Sequence, residues 1–101
     1  MKYNLYYNEE LICEVSINEE KAEPFIKEMV EFWSGWKENL QRSGGYTKAF
    51  LKNLGVFVAS ESKLPGEYDE GWCSFDGSYG ITATVFPFYF NKDDIEIEEI
   101  K

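Results

Sequence analysis

Tyr3-Asn4-Leu5-Tyr6-Tyr7 and Leu11-Ile12-Cys13-Glu14-Val15-Ser16-Ile17, separated by Asn8-Glu9-Glu10, decide the fold. Tyr3, Leu5 and Tyr7 alternate with Asn4 and Tyr6. Leu11, Cys13, Val15 and Ile17 alternate with Ile12, Glu14 and Ser16. A period of two places successive side chains on opposite faces of a pleated strand. Two such runs joined by a short polar turn predict a β-hairpin. The expected core face carries Leu5, Cys13, Val15 and Ile17, and Tyr6 and Ile12 are expected on the other.

After the hairpin the period changes. Asn18 to Glu23 is a polar entry to a helix, with Pro24 expected in its first turn, where a missing N–H costs little. Glu19, Glu20 and Glu23 suit the positive end of the helix dipole. Phe25, Met29, Trp33, Trp36 and Leu40 recur at spacings of three and four, the mark of one amphipathic helix. Gly35 falls inside it and weakens it by about 1 kcal/mol relative to alanine. Gly44-Gly45 ends it. Tyr46 to Glu61 predicts a second helix, with Phe50, Leu51, Leu54, Phe57 and Val58 on one face. The short link makes the two helices antiparallel neighbours.

Residues 62–80 read as a long irregular segment with Pro65, four glycines and four aromatics: Tyr68, Trp72, Phe75 and Tyr79. So many rings imply a loop packed on the body rather than a flexible linker. Ile81 to Phe90 predicts a third strand. Pro87 within it implies an edge, a bulge or the strand's end, because proline cannot donate to a ladder. Ile95-Glu96-Ile97-Glu98 alternates again, as a short fourth strand or an acidic tail. The fold class expected is α+β, one domain over residues 1–101. Its order is β-β-α-α-β with a candidate final β: an antiparallel sheet of three to four strands, two antiparallel helices on one face.

Composition narrows the function. The formal net charge is −9, so the chain repels nucleic acid and anionic membrane and is attracted to basic protein surfaces. The charge is uneven. Lys37, Arg42, Lys48 and Lys52 gather around the helix–helix turn, while residues 61–101 hold three lysines against ten acids. There is no histidine, which removes histidine acid–base chemistry, triads and the common zinc sites. Cys13 and Cys73 form no CxxC pair, and buried free cysteine is their expected state. Met1-Lys2-Tyr3 runs straight into strand-like sequence with no apolar targeting core, so cytoplasm is the expected compartment. No apolar run reaches the length of a membrane span.

Two short stretches carry a resemblance. Phe32-Trp33-Ser34-Gly35 lies in the first long helix. Glu70-Gly71-Trp72, then Phe75-Asp76-Gly77-Ser78 and Gly80-Ile81, lead into the late strand. Together they resemble a family of small bacterial, phage and plasmid proteins known as a domain of unknown function (two-five-two-eight). The resemblance implies a mobile-element origin and a compact α+β fold. It implies no activity and no catalytic residues. Cys73-Ser74 departs from the pattern, where less polar residues, often prolines, are expected.

Candidate sites follow from the residues themselves. The loop of residues 70–80 is either a recognition loop presenting Trp72, Phe75 and Tyr79 or a plug that buries them, with Asp76 satisfying loop amides. Asp69, Glu70 and Asp76 have no spacing that fixes a carboxylate pair or a cation site. Cys73 has no histidine to activate it. Neither a catalytic residue, a metal nor a cofactor is expected. Glu28, Glu31 and Glu38 fall along one outer stripe of the first helix, a solvated face or an imitation of a nucleic-acid backbone. Eight Phe, seven Tyr and three Trp exceed what two helices can shelter against one sheet face. Tyr6, Ile12, Phe86, Phe88 and Phe90 are therefore expected to line the other, as an apolar contact surface unless loop and tail cover it. The function expected is a non-enzymatic interaction protein that binds a protein partner or itself. The alternatives are an acidic nucleic-acid mimic that inhibits a host protein, a structural homodimer and, last, a small carboxylate-based enzyme.

Overall fold

A computed structural model describes residues 1–7, 9–66, 72, 74–86 and 95–100. The elements are β1 (Lys2–Tyr7), β2 (Glu10–Ile17), α1 (Glu19–Phe32), α2 (Trp36–Ser43), α3 (Tyr46–Glu61), β3 (Ile81–Val85) and β4 (Ile95–Ile100). The four strands form one antiparallel sheet in the order β3-β2-β1-β4. The α+β class is that expected, the order of elements has one helix more than expected, and the alternating Ile/Glu segment is a strand, paired with β1.

The hairpin pairs Tyr3 with Val15 and Leu5 with Cys13, so both expected faces meet across the ladder. The register then slips: Tyr6 faces Leu11, and Ile12 is the extra residue of a β-bulge. The bulge rotates Ile12 out of alternation, so Ile12 and Cys13 are both fully buried. Ile12 therefore belongs to the core, not to the open face. There Leu11 sits opposite Tyr6, both half-buried.

The expected single long helix is two helices. α1 stops at Phe32, Trp33 is extended (φ −84°, ψ 144°), and Gly35 opens α2 in the left-handed region (φ 74°). An L-residue pays a steric penalty there, so glycine sets the break. Gly35 is thus a joint, not a weak point inside a helix. α1 also begins earlier than expected. Asn18 is its N-cap, its Oδ1 accepting the Lys21 N–H at 3.3 Å, with Glu19 and Glu20 in the first turn and Pro24 further inside.

α3 lies across β1, β2 and β4, and α1 and α2 pack beside it. Phe50, Leu51, Leu54 and Val58 of α3 are fully buried over Leu5, Val15 and Ile17, and Ile26, Met29 and Val30 of α1 close the core. The opposite sheet face carries Lys2, Asn4, Glu14, Ser16, Thr82 and Thr84 in register. Among the described residues it is mostly polar, with Tyr6, Leu11 and Ile100 as apolar members and Phe86 next in the alternation after Thr82 and Thr84. Of the five residues expected to line it, Ile12 is turned into the core, while Tyr6 and Phe86 are half-buried outside the core cluster. Phe88 and Phe90 lie outside the described residues, as do Pro87 and the rest of 87–94. Among the described residues no helix is long and apolar enough to cross a membrane.

Candidate functional site

The loop brings Trp72 and Phe75 against rings of the helical layer. Trp72 is 4% exposed. It meets Phe50 edge-on at 5.6 Å and lies 5.1 Å from Trp33, 6.1 Å from Phe57 and 6.1 Å from Phe75. Phe50 continues to Phe25 at 6.2 Å, and Phe25 to Tyr79 at 5.2 Å. Offset and edge-to-face pairs at these distances add to simple burial. This connected cluster lies on the helical side and accounts for much of the aromatic load.

The end of the loop is pinned to the start of α1. The Asn18 N–H donates to the Gly80 carbonyl at 2.7 Å, and the Gly77 N–H to the Ile81 carbonyl at 3.0 Å. Gly80 has φ +82°, and a Cβ there would sit 3.0 Å from Lys21 Cβ and 3.1 Å from the Ala22 nitrogen. Asp76 Oδ1 accepts from the Ser78 N–H at 2.9 Å and the Ser78 hydroxyl at 2.6 Å. Those bonds, the hydroxyl's first, hold its carboxyl below the usual range. Lys21 Nζ donates to the Gly77 carbonyl at 3.2 Å. Asp76 thus serves the turn's own donors. Of the rings proposed for recognition, Trp72 is buried, Phe75 is half-buried and Tyr79 is exposed. Phe86, just past β3, is half-buried, its N–H bonded to the Ile12 carbonyl at 2.9 Å.

The helix break divides the acidic stripe. Glu28 and Glu31 are on α1 and Glu38 is on α2, all three exposed. Glu31 accepts from the Tyr46 hydroxyl at 2.9 Å, which raises that phenol's pKa. Glu38 pairs with Arg42 at 3.6 Å one turn on. Within the basic patch, Lys37 lies 5.7 Å over its neighbour Trp36. The stripe read as one helical face is therefore two patches.

Cys13 is buried and free, and desolvation pushes its thiol up to about 12. A thiol so protected is no nucleophile. Cys73, Asp69 and Glu70, weighed above for chemistry, lie outside the described residues. Among the described residues no group of three or more Cys, Asp or Glu side chains is placed to hold a metal ion.

Two concave regions bear on binding. A cavity of about 560 Å³ separates α1 from the start of α3, with Tyr3, Glu19, Glu99 and Lys48 in its walls. The Tyr3 hydroxyl donates to Glu19 at 3.3 Å, and burial and that carboxylate push the phenol up to about 12. A groove of about 330 Å³ runs along the C-terminal half of α3, lined by Trp33, Asn53, Val56, Phe57, Ser60, Glu61 and Trp72. Val56 beside it and Phe32 next to Trp33 are 56% and 64% exposed. Asn53 Nδ2 is buried with no hydrogen-bond partner. Sequence reasoning missed this groove apart from Trp72. Its residues come from one face of α3, with Trp33 from the α1–α2 joint and Trp72 from the loop. No family model, curated protein or solved structure matches this chain.

Proposed function

We propose that the protein is a non-enzymatic interaction protein whose partner is a protein with a basic surface. One observation carries this: among the described residues the acidity is hardly consumed in ion pairs. Nineteen carboxylates face ten cations in the sequence. Among the described residues Glu38–Arg42 is the single ion pair, and it is itself exposed. Charge left to solvent steers encounter with a complementary surface and repels a second copy of the same chain. The motif resemblance supplies a setting, a mobile element whose product occupies a host protein's basic groove.

The test is capture of partners from a host lysate by the wild type and by Glu28→Gln/Glu31→Gln/Glu38→Gln. Basic proteins released by salt, and lost with the triple variant, are the expected outcome. Binding unchanged by that variant removes the version in which these acids imitate a nucleic-acid backbone.

A further inference from the structure

The groove on α3 has a composition that selects one kind of side chain. Its accessible rings are Trp33 and Phe57, both half-buried, over the buried Trp72. Glu61 stands in its wall, exposed and without an ion-pair partner among the described residues. No described cation lines it. Asn53 contributes an amide donor with nothing to donate to. Flat apolar rings beside a lone carboxylate suit a planar cation. A guanidinium stacks on aromatic faces and forms a two-point bond with carboxylate, which a lysine ammonium does not reproduce. A chain at −9 draws such a group from a basic partner. The volume is near the lower end of the ~300–1,000 Å³ found for ligand pockets, enough for one long side chain rather than a large ligand.

We propose that this groove is the anchor site for an arginine side chain of the basic partner, stacked on Trp33 and Phe57 and paired with Glu61. The proposal rests on the interaction reading above and names the contact through which it acts.

The experiment titrates the ¹⁵N-labelled protein with octa-arginine, and separately with octa-lysine, following indole N–H shifts and affinity. The arginine peptide shifts the Trp33 indole saturably and binds about fivefold more tightly than the lysine peptide of equal charge. Glu61→Gln lowers arginine-peptide affinity by about tenfold. Glu14→Gln, an exposed acid on the open sheet face outside the groove, alters both peptides equally and by less than about twofold. Equal binding of the two peptides with no Trp33 shift overturns the arginine site and leaves a general basic-partner reading intact. Binding of neither peptide overturns both. A shift at Trp36 without one at Trp33 also overturns the assignment, because it places the cation elsewhere.

Discussion

Trp72 packs against Trp33 with ring centroids 5.1 Å apart, which ties a loop residue to the joint between the first two helices. The contact closes the helical layer over the end of the core. It also forms the floor of the groove. Packing and proposed function therefore share one pair of rings.

Trp72→Ala is expected to destabilise the fold by about 3 kcal/mol or more, the cost of emptying a large aromatic site. Urea unfolding measures it. Were the loop a loosely attached linker, the change would stay within about 0.5 kcal/mol.

Gly35→Ala discriminates by sign. A glycine inside a continuous helix gains about 1 kcal/mol from alanine. A glycine at φ 74°, with nothing within 4 Å of a would-be Cβ, meets no clash and loses about 1–2 kcal/mol through backbone strain alone. The structure predicts the loss, read as a lower thermal midpoint.

Cys13 predicts alkaline sensitivity. Its thiol titrates near 9.0 when free and is pushed up to about 12 by burial in the fold. The folded state thus holds a proton that the unfolded state releases. Stability from this group is complete below pH 9 and is lost as pH rises toward 12. Between pH 8 and pH 10 the loss is about 1.4 kcal/mol. Cys13→Ala lowers stability at pH 8 but flattens this part of the pH curve. Taking the difference between the two proteins cancels the later contribution of Tyr3. Parallel curves would contradict the assignment.

Asn53→Leu removes a buried donor that has no partner. Such a donor costs about 1–3 kcal/mol, so the variant is expected to be more stable. A destabilised variant would show that the amide is satisfied in the folded protein.

The parts of the fold that strict periodicity encodes were legible in the sequence. Tyr3, Leu5, Val15 and Ile17 alternate without interruption and are buried in register. Phe50, Leu51, Leu54 and Val58 mark α3 equally well. Where an apolar run hides phase, the pattern misled. Leu11, Ile12 and Cys13 are all apolar, so no polar residue marks the bulge that turns Ile12 inward. Trp33 and Trp36 continue the helical spacing across a break that depends on the backbone angle of Gly35. Of the residues expected on the open sheet face, Ile12 is turned into the core, Tyr6 lies there half-buried, and Phe88 and Phe90 fall outside the described residues. Part of the aromatic load packs around Trp72 on the helical side. Asn53, Val56, Phe57, Ser60 and Glu61 do fall on one stripe of α3, but nothing in their spacing places Trp33 and Trp72 beside them.

Light scattering of the purified chain, alone and with its captured partner, at 0.05 and 0.5 M salt tests the central claim most directly. The expected result is an 11.8 kDa monomer on its own at both salts and a complex with a basic protein that dissociates as salt rises. A stable homodimer at both salts, or a complex indifferent to salt, would contradict it.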